Sequence, residues 1–270
     1  MQTTSMLAAA KIFLSLTILT YASWRDHKTR EVSNKVWLFY APPALTLTLT
    51  ELFLNNFSNI LFYGLSFGLT ATFAVILFYA GGFGGADAKA LMCLALALPF
   101  YPQELLTPLS SEVSPTMKMF FPITVFSNSV LLAALTAIYL LIHNILWHQK
   151  TKTPLFSGEQ KKESLIKKIL VLITGYKTSV KKLKDKWHLY PMEDLEIKEN
   201  KLIRKLVAIP KDEGRDAIVE RLAKAVESGE IQETVWATPG LPLLIFITAG
   251  LILALVFGDI VWIIVCSILG

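Results

Sequence analysis

The sequence predicts an all-α polytopic membrane protein, with six transmembrane helices and one long polar insertion before the last of them. Of its 270 residues, 53% are hydrophobic and 17% charged, and the mean hydropathy is +0.51, too apolar for an ordinary soluble domain. The apolar residues come in blocks of roughly the 20 that a spanning helix needs. They do not follow amphipathic spacing, which excludes a disordered chain and a coiled coil. The bases behind the net charge of +5 stand beside these blocks, so they read as topology signals and not as a nucleic-acid surface.

The first span, residues 5–23, contains Lys11 and has no small-residue cleavage pattern before Trp24, so it is expected to be retained and not removed as a signal peptide. The second, 36–54, contains Pro42 and Pro43, each lacking a backbone donor, and should kink. The third covers 59–79 and the fifth 121–147. The fourth, 86–100, is short and opens on Asp87 and Lys89. A polar start on a short helix borders protein or water more readily than lipid. The sixth, 241–257, is expected to end near Asp259. Between the fifth and sixth, residues 148–240 hold 19 Lys/Arg and 14 Asp/Glu. This insertion is expected to be soluble and mainly helical, with near-helical spacing in 159–186 and 212–227 and breaks at Pro191, Pro210 and Gly214. The expected domains are therefore 1–147 (membrane, spans one to five), 148–240 (insertion) and 241–270 (last span).

Bases cluster in the first connection, at Arg25, Lys28, Arg30 and Lys35, and in the insertion; residues 55–58 have none and 101–120 only Lys118. The excess of bases on cytoplasmic loops places the N-terminus outside and the first, third and fifth connections in the cytoplasm. Asp26, in the first loop, and Asp87, after the third span, then share the cytoplasmic side.

Those two acids are the candidate chemistry. Asp26 also has a plain reading, as a solvated loop acid paired with Arg25 or Arg30; Asp87 has one as a first-turn acid on a helix dipole. Capping alone does not account for Gly81, Gly82, Gly84 and Gly85 just before Asp87, since each glycine costs conformational entropy. They suit a close approach of backbone. No Gly-Lys-Ser/Thr follows, so a nucleotide loop is disfavoured. Cys93 and Cys266 lie in apolar runs without a CxxC pair, and His143 and His148 lack a third ligand, so neither a metal nor a cofactor is expected. Lys89 reads as a snorkelling base, His27 as solvated, and Glu51 as an interfacial acid without a role.

Gly84-Gly85-Ala86-Asp87 resembles the GxGD signature of intramembrane aspartyl proteases, with Ala86 where the signature has Gly. Asp26 followed by Arg30, Val32 and Asn34 resembles the first aspartate motif of type IV prepilin peptidases. Six spans, an insertion before the last, and Trp236-Ala237-Thr238-Pro239 leading to the final helix with Gly258-Asp259 extend the likeness to the archaeal preflagellin peptidase branch over nearly the whole chain. The resemblance implies a catalytic pair, Asp26 and Asp87, with Gly84, Gly85 and Ala86 as supporting loop. One acid would be ionised to activate water and the other protonated to polarise the scissile carbonyl. It implies a leader peptidase for preflagellin or pilin-like precursors, without the cysteine-rich module that accompanies N-methylation. Two alternatives are a presenilin-type protease, whose Tyr-Asp motif is missing at Arg25-Asp26, and a proton-coupled transporter built on Asp87. The insertion is expected to face anionic lipid head groups, with Trp187, Tyr190 and Trp236 as interfacial anchors.

Overall fold

The computed structural model describes every residue except Met1, Asn56, Ser111, Glu112, Glu199, Asn200, 209–213, Leu241 and Gly270. Pro210, Asp212 and Leu241, where the sequence places a break or an element start, lie outside the described residues. In chain order the helices are α1 (Gln2–Thr29), α2 (Asn34–Asn55), α3 (Ile60–Tyr79), α4 (Gly85–Ala97), α5 (Pro115–Met119), α6 (Phe121–Thr151), α7 (Leu165–Thr174), α8 (Val180–Asp185), α9 (Arg215–Glu227), α10 (Leu243–Val256) and α11 (Ile260–Leu269). The strands are β1 (Tyr176–Ser179), β2 (Leu189–Pro191), β3 (Glu193–Lys198), β4 (Lys201–Leu206) and β5 (Thr234–Pro239). The chain forms two compact units, Met1–Ala133 with Pro242–Gly270, and Ala134–Leu241. The boundary between them falls inside α6, whereas the sequence suggests 147/148.

The first unit packs its helices around Leu19, Tyr40, Leu94, Phe121, Leu244 and Leu251, all fully buried. Among the described residues, three helices are long and apolar enough to cross a bilayer: Thr3–Thr29, Phe57–Tyr79 and Phe121–Thr151. The α10–α11 pair, bent by 63°, makes a fourth if taken as one broken span. Three or four such helices thus stand where six were expected. The shortfall has physical causes in α2 and α4. In α2, Pro42, Pro43, Glu51 and three threonines dilute the apolar run. With 13 residues, α4 is roughly 20 Å long at 1.5 Å per residue, against a hydrocarbon core of about 30 Å.

Three local expectations change. α1 runs on past Ser23 to Thr29, so Asp26 lies in its last turn and not in a loop. The Thr29 hydroxyl donates to the Arg25 carbonyl at 3.0 Å, and Lys28 Nζ sits 4.5 Å over the Trp24 ring, both extending the helix. It closes at Arg30, whose φ of 55° turns the chain while its amide still bonds to the Asp26 carbonyl at 3.0 Å. Glu51 does not simply reach water; it pairs with the buried Lys11 across α1 and α2. Asp259 does not end the apolar path either. Gly258, at φ 86°, turns the chain, and the buried Asp259 accepts from Ser114 Oγ at 2.7 Å and from the Trp262 amide at 3.0 Å, so it caps a further apolar helix, α11.

The second unit is mixed α/β, not mainly helical. β5 is the centre of an antiparallel sheet ordered β1-β5-β2, and β3 pairs with β4 from Glu193↔Leu206 to Lys198↔Lys201. The helical spacing in 159–186 is realised as α7 and α8, but β1 separates them. Trp236 is not an interfacial anchor: as part of the central strand it is fully buried, stacked on Phe156 at 5.4 Å, with Nε1 donating to the Leu155 carbonyl at 3.1 Å. Trp187 remains half exposed. Beside Trp236 lies Glu193, fully buried, which accepts from Gln160 Nε2 at 2.7 Å, from Arg204 Nε at 2.8 Å and from the Trp236 amide at 2.5 Å, with Lys177 Nζ at 3.7 Å.

Candidate functional site

Asp87 is the third residue of α4, and its position follows from the glycines before it. Its Oδ2 accepts the Gly84 amide at 2.9 Å, closing the first turn of the helix. The plain reading of Asp87 as a helix-capping acid is therefore met, and it does not exhaust the residue. Gly84 is extended (φ −72°, ψ 159°), a conformation open to any residue; what it needs is space. A Cβ there would stand 3.0 Å from Asp87 Oδ2, while one on Gly85 would meet only Phe78 Cε2 at 3.7 Å. Ala86 turns its methyl group toward the core of this unit.

Asp26 reaches the same place from the last turn of α1. The amide of Leu244, in the first turn of α10, faces its carboxylate, so the positive end of that helix lies beside the acid. The neighbouring Ser23 Oγ and Thr248 Oγ1, 2.7 Å apart, join α1 to α10. Arg30 brings positive charge near Asp26 without forming an ion pair, and its buried Nε has no hydrogen-bond partner. Among the described residues, neither Asp26 nor Asp87 is paired with Lys, Arg or His within 4.0 Å.

The two acids, 61 positions apart in the sequence, line one open cavity of about 630 Å³ together with Arg30, Asn34, Gly84 and Ala86. They are close enough for the charge of Asp26 to act on Asp87. The cavity lies within the range of pockets that hold small ligands or a few residues of extended chain, roughly 300 to 1,000 Å³. The structure thus brings together every residue that the sequence singles out as a site candidate. Lys89 has a contact that sequence reasoning missed: its Nζ donates to Asn34 Oδ1 at 2.7 Å, tying α4 to the first residue of α2. Position i+2 from Asp87 turns Lys89 to a different helix face, and that face is the one toward Asn34. Among the described residues, no three His, Cys, Asp or Glu side chains gather as a metal site.

Residues 13–142, which include both acids, match the model of the type IV leader peptidase family, and residues 167–260 match that of the archaeal peptidase A24 C-terminus, type II. Together the two matches take in most of the chain, which over that length is similar to the type IV leader peptidase family. Relatives align along most of the chain. The preflagellin peptidase of Methanococcus voltae is 28% identical over 246 residues, 89% of this chain and 92% of the relative. That of Methanococcus maripaludis is 25% identical, covering 89% and 92%, and that of Methanocaldococcus jannaschii 23% identical, covering 89% and 91%.

Proposed function

We propose that this chain is a membrane aspartic endopeptidase that removes the short leader from preflagellin or type IV pilin-like precursors, with Asp26 and Asp87 as its catalytic pair. The observation that carries the reading is that two acids from distant segments line one cavity, with no cation paired to either within 4.0 Å among the described residues, in a chain that matches the leader peptidase family model across both of them. The likeness to preflagellin peptidases over most of the chain supports this substrate class over a presenilin-type protease or a transporter.

The chemistry is what two carboxyl groups do with one proton between them. The ionised one takes a proton from water, and the oxygen so activated attacks the scissile carbonyl. The protonated one donates a hydrogen bond to the carbonyl oxygen and then passes its proton to the leaving amine. Neither step draws on a metal or a thiol. With no CxxC pair in the sequence, the resemblance to prepilin peptidases gives a peptidase without N-methyltransferase activity. In this reading α2 and α4 complete a six-span membrane part, with the N-terminus outside and the acids at the cytoplasmic face. A precursor whose charged leader precedes a hydrophobic helix lies in the bilayer beside the enzyme and presents its junction there. Gly84, Gly85 and Ala86 form the loop that lets substrate backbone approach Asp87.

The test is incubation of the purified protein, in detergent and in bilayers, with a preflagellin, followed by mass measurement of the product. Leader removal that survives a chelator and a thiol reductant is expected. Cleavage lost with the chelator and restored by zinc would overturn the two-carboxylate mechanism.

A further inference from the structure

Helix α7 is turned inside out relative to a water-facing helix. Leu165, Ile166, Ile169 and Leu170, spaced to share one face, are 74%, 73%, 56% and 37% exposed. Lys167 and Lys168 lie half-buried on the other side. Lys167 Nζ pairs with Glu163 at 3.0 Å, and Lys168 Nζ bonds to the Lys161 carbonyl. Val171 alone in the helix is fully buried. A helix on an aqueous surface shows the opposite pattern, with apolar residues inward and lysines outward.

The position of α7 within its unit says what covers this face. Asn144 of α6, itself buried, donates through Nδ2 to the Leu172 carbonyl at 2.9 Å and the Gly175 carbonyl at 2.7 Å, pinning the C-terminal end of α7. Around Asn144, α6 turns outward Ile138, Ile142, Ile145 and Leu146, 44 to 58% exposed, on a helix apolar enough to cross a bilayer. Trp147 follows, and then His148, Lys150 and Lys152. A tryptophan and a group of bases at the end of an apolar helix mark the level where acyl chains give way to head groups. Asn144 lies within one turn of Trp147, so α7 is held at that level. Lys161, exposed just before α7, adds positive charge suited to anionic lipid, while Lys162 beside it is paired with Glu159 at 2.8 Å.

We propose that α7 is an interfacial helix that lies in the plane of the membrane, with Leu165, Ile166, Ile169 and Leu170 inserted at the acyl-chain boundary of an anionic leaflet. The proposal is independent of the peptidase reading, and its test measures depth, not activity. In a Cys93→Ser, Cys266→Ser background, nitroxide labels are placed at Ile166→Cys and, as a water reference, at Glu220→Cys, whose side chain is 69% exposed on α9. The protein is reconstituted into phosphatidylcholine bilayers containing phosphatidylglycerol. The Ile166 label should be relaxed more by dissolved oxygen than by a water-soluble nickel chelate, and the Glu220 label the reverse. Equal access of the chelate to both labels would overturn the proposal. So would protection of Ile166 that arises only when a preflagellin is added, which would make the face a seat for the substrate helix. Protection that disappears as protein is diluted in lipid would overturn it in favour of a second copy.

Discussion

Glu193 in the second unit and the Asp26–Asp87 pair in the first are acids taken partly or wholly out of water, and they are treated in opposite ways. Glu193 is saturated: an amide side chain, a guanidinium, a backbone amide and an ammonium group converge on its two oxygens. Each Asp of the pair has a single backbone amide, from Gly84 or Leu244, and no cation within 4.0 Å among the described residues. A carboxylate satisfied on every side is fixed in place and serves the fold. A carboxyl group anchored at one point and open to a cavity can still exchange its proton and accept a substrate.

The contrast is tested most severely at the aspartates. Asp26→Asn and Asp87→Asn should each lower precursor cleavage by more than about a hundredfold, since an amide supplies neither acid nor base. The variants should still insert and resist proteolysis as wild type does, because an amide oxygen can accept from the Gly84 or Leu244 amide. Near wild-type turnover in either would remove that residue from the mechanism. Glu193→Ala should do the reverse. It leaves Arg204 and Lys177 buried without their acid and should destabilise the second unit by about 3 to 5 kcal/mol, read as a lowered unfolding temperature or early proteolysis within 134–241.

Lys177 gives the same cluster a pH signature. Burial, opposed by the Glu193 charge and reinforced by Arg204, pushes its ammonium down to about 8 from 10.5. Between those values the unfolded chain binds the proton and the folded unit does not, so stability rises with pH across that window, by about 3 kcal/mol in all. Below pH 8 the full cost of the buried charge is present. Denaturant unfolding of wild type against Lys177→Met at pH 8 and pH 10 should show about 2 kcal/mol of this increment, and only in wild type.

How much of this the sequence reveals differs between the two regions. The paired acids are legible because motif and loop charge both bear on them, and the cavity needs only that the two segments meet. The bend at Gly258 and the capping by Asp259 are not legible, since Ser114 and Asn128, which hold that corner, lie over 100 residues away. The strands of the second unit escape because lysines interrupt their alternation, as in Tyr176-Lys177-Thr178-Ser179 and Lys201–Leu206. Trp236 misleads for a related reason: an aromatic next to an apolar helix looks like an anchor until β1 and β2 are seen on either side of it.

The glycine loop refines the open half of the contrast. Gly84→Ala should cost roughly tenfold or more in cleavage rate, because the added methyl would stand 3.0 Å from Asp87 Oδ2 and must displace the carboxylate. Gly85→Ala, at an ordinary 3.7 Å from Phe78, should stay close to wild type, and Ala86→Gly should remain active. Equal rates for the two alanine variants, measured on one precursor, would make the loop a plain linker.

The smallest loss expected is at Lys89, which touches neither acid but fixes α4 to α2 through Asn34. An exposed hydrogen bond from an ammonium is worth about 1 kcal/mol, so Lys89→Met should slow cleavage by roughly three- to tenfold. As a positioning residue, Lys89 acts on the placement of Asp87 against Asp26 and not on precursor binding. The loss should therefore fall on kcat, with KM little changed, and Lys89→Arg, which keeps a donor within reach of Asn34 Oδ1, should recover most of it. Asn34→Ala should reproduce the loss, and combining it with Lys89→Met should add little, since both remove the same bond. Additive losses would mean that the two residues act separately, and that Asp87 is held by the Gly84 amide and its own helix alone.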